Sequence, residues 1–229
     1  MFAKRWACRT TDARCIQHSA LNILMSAPAS LAASPHSAVD QPSRWVQRFA
    51  QLIPAGGLTL DLACGAGRHA RHLAALGHQV LAVDRDAAML ALASSDAHGI
   101  RTLAFDLEAE GSAAMPDWPL QQGRYSGIVV TNYLHRPLMA DLLASLTPGG
   151  VLIYETFAEG NSLFGKPSNP AFLLTPGELL AWVSTDPDMR VLAFEDGYVE
   201  SPKPAMVQRI CAIRHTDRLS PQARSIERR

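Results

Sequence analysis

From Leu58 onward, short apolar runs alternate with segments of helical periodicity, and this alternation limits what the chain can fold into. Near-continuous apolar strands that are separated by helices indicate a parallel sheet covered on both faces. The expected strands are residues 58–63, 79–83, 100–105, 125–131 and 151–157. The expected helices between them are residues 67–76, 86–97 and 137–146, and a further helix opens at Thr175.

The end of the chain departs from this alternation. Residues 190–195 and 205–214 read as two strands with no helix between them, so the connection can only return the chain antiparallel. We therefore predict an α/β fold, a doubly wound, seven-stranded, mostly parallel sheet with an antiparallel C-terminal hairpin. A length of 229 residues favours one domain, which we place at residues 41–215.

Both termini differ in composition from this domain. Residues 1–40 carry early basic residues followed by a Ser/Ala-rich stretch, and they are expected to be a disordered or mis-annotated extension with Met25 as an alternative start. A signal peptide or a transit-like presequence is also compatible with them. In either of the first two cases, removing residues 1–24 should leave the melting temperature and ligand affinity unchanged. Residues 216–229 are expected to be a solvated basic tail.

Composition excludes several classes of protein. The formal net charge is zero, which gives no electrostatic footprint for nucleic acid, and no apolar run approaches the roughly 20 residues that span a bilayer. The four cysteines form no C-x-x-C pair, which fits a reducing, cytoplasmic setting. His69 and His72 lack a third ligand for a metal and are expected to be helix-surface residues. We therefore expect a small-molecule partner and no metal, nucleic acid or membrane, and we assign no oligomeric state.

The most informative stretch runs from Leu60 to Ala70, where an apolar strand enters a glycine turn and then a helix. Gly65 and Gly67 allow close approach of a ligand to the backbone, and the helix beyond them offers unpaired amides. The run also satisfies the dinucleotide pattern G-x-G-x-x-A, which by itself is weakly specific.

Three acids follow successive strands at the edge where open α/β sheets bind ligands. Asp61 lies at the first strand, Asp84 ends the second, and Asp106 follows the third. A carboxylate in the position of Asp84 is placed to accept both hydroxyls of a ribose. Asp61 would repel a pyrophosphate on the glycine turn, whereas it would attract a sulfonium and an ammonium group. This charge argument favours S-adenosylmethionine over NAD.

The run resembles the first motif of the class I S-adenosylmethionine-dependent methyltransferases, with Ala63 where the family usually has its first glycine. The resemblance covers about residues 45–215 and implies a Rossmann-like fold with S-adenosyl-L-methionine as cofactor. It implies that Asp84 holds the ribose and Asp106 the adenine amino group, with Arg68 and Met89 beside the cofactor. The full expected cofactor set is Asp61, Ala63, Gly65, Gly67, Arg68, Asp84, Arg85, Met89, Asp106, Leu107 and Asn132.

The fourth strand leads into the segment that faces the methyl group in this family. Here Asn132-Tyr133 lacks the prolines of amine and DNA methylases, which argues against nucleobase or glutamine acceptors. We expect Tyr133, Arg136 and Phe164 to bind substrate. His135 is the only candidate general base, with a structural hydrogen bond as the alternative.

Residues 158–174 form a long Asn/Gly/Pro-rich segment that could cover the substrate. Trp45 and Phe49 could close the other side of the site or simply pack in the core. The stretch from Tyr154 to Phe157, with the segment after it, resembles the small-molecule and tellurite-resistance methyltransferases.

We therefore expect an enzyme that transfers a methyl group from S-adenosylmethionine to a small molecule. The alternatives are an NAD(P)-binding Rossmann oxidoreductase and a non-catalytic cofactor-binding module. The covering segment counts against the non-catalytic module, which would need none.

Overall fold

The computed structural model describes residues 41–94 and 98–215. The expected N-terminal extension at residues 1–40 and the basic tail at residues 216–229 lie outside the described residues. The structural statements below therefore concern the predicted domain at residues 41–215.

The described residues form one seven-stranded sheet in the order β3-β2-β1-β4-β5-β7-β6. Strands β1 to β5 are parallel to one another, and β7 runs antiparallel to both β5 and β6. The predicted doubly wound sheet with an antiparallel C-terminal hairpin is confirmed. The strands are β1 (Leu58–Leu62), β2 (Gln79–Asp84), β3 (Ile100–Ala104), β4 (Tyr125–Thr131), β5 (Leu146–Phe157), β6 (Met189–Val199) and β7 (Ala205–Arg214).

Five short α-helices cover the sheet: α1 (Arg44–Phe49), α2 (Arg68–Ala75), α3 (Ala87–Ser94), α4 (Met139–Ala144) and α5 (Glu178–Ser184). Single 3₁₀ turns lie at Ala50–Leu52, Ser112–Ala114, Arg136–Leu138, Asn161–Leu163 and Pro170–Phe172. No helix in the described ranges is both long enough and apolar enough to cross a membrane.

The strand order places a topological switch point between β1 and β4. After β1 the chain moves outward through β2 and β3, whereas β4 pairs with the other side of β1. The chain leaves β1 and β4 in opposite directions, which opens a crevice at the carboxyl ends of these two strands. In open α/β sheets, ligands bind in such a crevice. The glycine turn and residues 132–136 both lie at this crevice.

Alternating side chains divide the core between the two faces of the sheet. Leu60, Ile128 and Leu152 face one apolar layer, which includes α4 and α5. Val129 and Ile153 face the other layer, which includes α1 and α2. Because each strand is buried on both faces, the strands read as continuous apolar runs in the sequence.

The predicted elements are present, but several boundaries differ. The expected helix at residues 137–146 is a 3₁₀ turn followed by α4, and Leu146 already pairs with Tyr125 of β4. The next pair of β5 joins Val151 to Gly127, so residues 147–150 bulge out of the ladder instead of ending the helix. Strand β6 continues to Val199 because the Asp196-Gly197 pair, expected in a loop, stays paired with β7.

Residues Thr175 to Glu178 match the sequence pattern of a capping box, but the start of α5 differs from one. The helix begins at Glu178 after a left-handed Gly177, so its N-cap lies two residues later than the expected Thr175. Glu178 accepts the Thr175 amide, as a capping box requires, but the Thr175 hydroxyl donates to the same carboxylate instead of accepting a helix amide. The buried side chain of Gln208 supplies the missing cap, because its oxygen accepts the Leu179 amide.

Candidate functional site

The glycine turn is built from three residues with left-handed backbone angles. Ala63 has φ 53°, Gly65 has φ 53° and Gly67 has φ 76°. The turn is closed by the Cys64 amide, which donates to the Val83 oxygen, and by the Gly67 amide, which donates to the Cys64 oxygen. Ala63 stands where the resembling family has glycine, and its positive φ explains why glycine suits the position.

The two glycines serve different purposes. A Cβ on Gly67 would lie 2.4 Å from the Ala93 Cβ, so this glycine lets α2 and α3 pack closely. A Cβ on Gly65 would meet no atom within 4 Å and would project into open space at the crevice. The space beside the Gly65 backbone is therefore open.

Asp61 is buried beneath this turn. It is 1% exposed, and neither carboxylate oxygen accepts a hydrogen bond of ordinary geometry among the residues described, although the Ala70 amide lies near the carboxylate. Burial raises the pKa of Asp61 to about 7, and the Asp84 charge adds to this, while the Ala70 amide and the Arg68 guanidinium oppose it. An unpaired buried carboxylate is costly unless a cation or donor completes it. The residues present thus fit a cationic group at the turn.

Asp84 ends β2 and holds the glycine turn in place. Its Oδ2 accepts the Gly65 amide at 2.8 Å, and its Oδ1 accepts the Asp86 amide at 3.0 Å. An ionised carboxylate has about four acceptor positions, so each oxygen keeps capacity for one further donor. The next acid, Asp86, caps α3 by accepting the Ala88 and Met89 amides.

The other residues expected near the adenosine part lie around these strand ends. Asp106 is exposed and accepts the Glu108 amide, whereas the Leu107 side chain is buried in the core. Met89, which the helical pattern placed inward, is instead 38% exposed. Arg85 is exposed beside Asp84, and the Arg68 guanidinium donates to the Gln41 oxygen at 3.4 Å.

Tyr133 follows β4, and its side chain lies near the carboxylates of Glu108 and Asp106. Its hydroxyl is buried and makes no hydrogen bond of ordinary geometry within the described part of the chain, although the Glu108 carboxylate lies close to it, and its backbone oxygen accepts the Tyr154 hydroxyl at 2.8 Å. Burial and the carboxylates of Glu108 and Asp106 raise the pKa of Tyr133 above its usual range. The phenol therefore stays protonated at neutral pH and acts as a donor. Asn132 precedes it with φ 56°, and its amide donates to the Glu155 oxygen.

Arg136 joins the crevice to residues 158–174. Its guanidinium forms a two-point ion pair with Glu178, and it donates to the backbone oxygens of Ala171 and Leu173. Four of its five N–H donors are used in these contacts. The sequence predicted that Arg136 binds substrate. In the structure, Arg136 holds the covering segment, residues 158–174. His135 is half-buried next to it.

The covering segment is anchored at both ends by its backbone. Ala158 and Leu174 form a bridge, and the Leu174 amide donates to the Phe157 oxygen. The ring of Phe164 lies 5.2 Å from that of Tyr198 on β6. Phe172, between the two backbone oxygens that Arg136 holds, is 49% exposed.

On the other face, the structure selects one of the two alternatives for Trp45 and Phe49 and overturns the expectation for His69. Trp45 and Phe49 are 2% and 5% exposed, and the Trp45 indole donates to the Ile210 oxygen, so both residues belong to the core. His69 is 1% exposed and not a surface residue. Its ring bonds to Ser43 and Thr131, and Ser43 bonds to Glu155. In the sequence, the one indication of this cluster was an acidic residue, Glu155, within the most apolar strand.

A separate cleft of about 300 Å³ lies between β2, β3 and residues 116–124, and it contains none of the predicted site residues. It includes Arg101 and Arg124 together with Asp117. Arg101 and Arg124 lie toward the amino ends of β3 and β4, opposite to the glycine turn. Within the described ranges, no three metal-ligating side chains group together.

Comparison with protein families matches residues 59–150 to a family described as a methyltransferase domain. This range contains the glycine turn, the three strand-end acids and the segment after β4. Comparison with curated proteins finds no match.

Solved structures share the fold. TehB from Haemophilus influenzae matches with a TM-score of 0.58 and 20% identity over 75% of this chain and 61% of TehB. An S-adenosylmethionine-dependent methyltransferase from Mesorhizobium loti matches with 0.56 and 17% over 74% of this chain and 98% of that one. The glycopeptide N-methyltransferase MtfA, complexed with S-adenosylhomocysteine, matches with 0.51 and 18% over 74% and 82%. The aligned region thus spans less than two thirds of TehB.

Proposed function

We propose that this chain is a class I S-adenosylmethionine-dependent methyltransferase that transfers the methyl group of its cofactor to a small-molecule acceptor. The match of residues 59–150 to a methyltransferase domain and the shared fold support this. The observation that carries the proposal is Asp61, a buried carboxylate that accepts no hydrogen bond of ordinary geometry among the described residues, beneath a turn whose Gly65 faces open space. A cation at the turn satisfies this carboxylate, whereas a pyrophosphate would be repelled by it.

The residues around the turn then have separate tasks. Asp61 balances the positive charge of the cofactor, and Asp84 accepts ribose hydroxyls with the lone pairs that the Gly65 and Asp86 amides leave free. Gly65 has no side chain and Ala63 has only a methyl group, so the cofactor can approach the backbone of the turn closely. Asp106, Leu107, Arg85 and Met89 surround the adenosine part, with Arg68 and Gly67 at the start of α2 and Asn132 on the far side.

The bound cofactor supplies an activated methyl group with its leaving group already in place. The protein then contributes alignment of the acceptor and exclusion of water. Tyr133 can donate a hydrogen bond to the acceptor from its buried hydroxyl. Arg136 contributes by holding Ala171 and Leu173, so that Phe172 and the covering segment stay over the crevice.

His135 is the candidate base only for acceptors that must lose a proton. A thiolate or another anionic acceptor needs no base. We favour this class of acceptor because the residues around the crevice are arranged to position the acceptor. A hydroxyl or protonated amine would need one, and general-base help is typically about 10²–10⁴-fold. The half-buried side chain of His135 is within the segment that faces the methyl group.

Two features of the chain support a small acceptor. The formal net charge is zero, so the protein has no overall attraction for a nucleic-acid backbone. The crevice is bordered by a segment of 17 residues, 158–174, that is tied down at both ends and by Arg136. Such a cover suits a ligand that can be enclosed.

The acceptor class can be tested by following the methyl group. The purified protein is incubated with methyl-labelled S-adenosylmethionine and separate fractions of metabolites, protein and nucleic acid. We expect label to accumulate in the metabolite fraction and S-adenosylhomocysteine to form in the same amount. Protein carrying Asp84→Ala is the control, and it should transfer less label when the cofactor concentration is near the dissociation constant of the unmodified protein. Label in the nucleic-acid or protein fraction would reject a small-molecule acceptor.

A further inference from the structure

All polar groups of Ser43 are used, and they join three distant parts of the chain. Its amide donates to Nε2 of His69 at 3.1 Å, and its hydroxyl donates to Glu155 at 3.1 Å while accepting the Trp45 amide. Its carbonyl oxygen accepts the Gln47 amide. Ser43 is therefore both the N-cap of α1 and the point where α1 is fixed to the sheet.

His69 is the link from Ser43 to the glycine turn, since it lies in the first turn of α2, two residues after Gly67. Because Nε2 accepts the Ser43 amide, the ring proton resides on Nδ1, which donates to Thr131 Oγ1 at 3.3 Å. Burial and the neighbouring Arg68 charge lower the pKa of His69 to about 3, so the ring stays neutral. An apolar side chain would fill this buried position without needing two partners.

Glu155 completes the connection on the acceptor side of the crevice. Its carboxylate is 2.6 Å from Nε of Arg209 and accepts the Ser43 hydroxyl. Its backbone oxygen accepts the Asn132 amide, which fixes the start of the segment that holds Tyr133. The cofactor turn, the acceptor segment and α1 therefore meet through His69, Ser43 and Glu155.

We propose that His69 is a positioning residue that couples cofactor binding at the glycine turn to the docking of residues 41–50 against the sheet. The inference rests on the proposed function, because the cofactor is its effector. A ligand on Gly65 and Arg68 orders the first turn of α2, and this holds the His69 ring in the orientation that accepts the Ser43 amide. Coupling of this kind is reciprocal, so docked residues 41–50 tighten cofactor binding in turn.

The test is hydrogen exchange of residues 41–50, with and without saturating S-adenosylhomocysteine, together with calorimetric affinities. In the unmodified protein the ligand should slow exchange of this segment several-fold. His69→Phe fills the same space without the two hydrogen bonds, and it should remove the ligand-dependent slowing and weaken binding about tenfold. His69→Gln keeps an acceptor for Ser43 and should restore most of both effects. His72→Phe, one turn later and without a partner at Nε2, is the matched control and should behave like the unmodified protein.

The outcomes separate this inference from the proposed function. If S-adenosylhomocysteine binds but leaves exchange of residues 41–50 unchanged, the coupling is absent and the inference is overturned. Ligand-dependent slowing that persists in both His69 variants would overturn it as well. A purely structural role predicts faster exchange in His69→Phe that the ligand still slows by the same factor. Failure of the unmodified protein to bind the ligand would instead reject the proposed function, together with the inference that depends on it.

Discussion

At the scale of single residues, the proposed chemistry depends most on Asp61. Its carboxylate is buried, so the ionised form that would balance the positive charge of the cofactor is unfavourable in the ligand-free protein. Its pKa is raised to about 7, mainly by burial. Natural proteins keep such an unfavourable group where a ligand completes it, at some expense of stability. Ala63, whose φ of 53° suits glycine better than alanine, adds backbone strain at the same turn.

The raised pKa of Asp61 predicts that ligand affinity depends on pH. The ammonium group of S-adenosylhomocysteine favours the ionised carboxylate, so binding below pH 7 must release a proton. We expect the affinity to fall by up to about tenfold per pH unit from pH 7 to pH 5. Asp61→Asn should bind weakly at every pH and lose this slope, which calorimetry across pH 5–8 measures. An unchanged slope in the variant would assign the proton to another group.

The same group affects folding in the opposite sense. Between about pH 4 and pH 7 the folded chain keeps a proton that the unfolded chain has lost, so the free energy of unfolding declines as pH rises through this window. Asp61→Asn should therefore stabilise the ligand-free protein at pH 8, by roughly 2–4 kcal/mol in urea denaturation. A destabilised variant would mean that the carboxylate already has a partner in the free protein.

His135 tests how much proton transfer the reaction requires. If the acceptor is a thiol or an anion, His135→Ala should lower single-turnover transfer by less than about tenfold. The exposed His98 provides a control of the same residue type, and His98→Ala should have no effect. A loss above about a hundredfold, with disappearance of a pH step near neutrality, would make His135 the base and the acceptor a protonated group.

At the scale of elements, the glycine turn and the covering segment show how packing positions the site. Gly67 is required where α2 meets α3, and Gly65 borders open space where we propose that the cofactor approaches. Arg136 ties the turn after β4 to α5 through Glu178 and to the covering segment through the backbone oxygens of Ala171 and Leu173. Each connection joins an element of the core to a segment at the crevice.

Replacing the two glycines by alanine should separate these roles. Gly67→Ala forces a Cβ to within 2.4 Å of Ala93 at a positive φ, and it should lower the free energy of unfolding by roughly 2–4 kcal/mol. Gly65→Ala meets only the penalty for positive φ, about 1–2 kcal/mol, but should weaken S-adenosylhomocysteine binding more than tenfold. Equal effects of both changes on stability and binding would contradict this division.

The Arg136 contacts predict a measurable change in the covering segment. Arg136→Gln leaves the oxygens of Ala171 and Leu173 without their donors, so chymotryptic cleavage after Phe172 should become several-fold faster. Arg190→Gln, at an exposed position of β6, should cleave at the original rate. If Arg136→Gln cleaves no faster but raises the KM for the acceptor, then Arg136 binds substrate directly, as the sequence pattern first indicated.

At the scale of the whole molecule, the apolar alternation was sufficient to predict the sheet and its terminal hairpin, because parallel strands buried on both faces leave a clear pattern. The turn motif likewise placed Asp61, Gly65 and Asp84 together, since they lie at adjacent strand ends. The cluster of His69, Ser43 and Glu155 could not be predicted, because its hydrogen bonds join residues 26 and 112 positions apart. The capping of α5 by Gln208 could not be predicted for the same reason, because Gln208 is distant from α5 in the sequence.

The account depends most on what the glycine turn binds. Calorimetry with S-adenosylhomocysteine and NAD, on the unmodified protein and on Asp84→Ala, addresses this directly, with Asp117→Ala in the distant cleft as the control. We expect micromolar binding of S-adenosylhomocysteine, no detectable binding of NAD, and a loss of roughly 1.5–3 kcal/mol in Asp84→Ala. Binding of NAD with equal affinity, or an unchanged affinity in Asp84→Ala, would contradict the assignment of the cofactor and of the site.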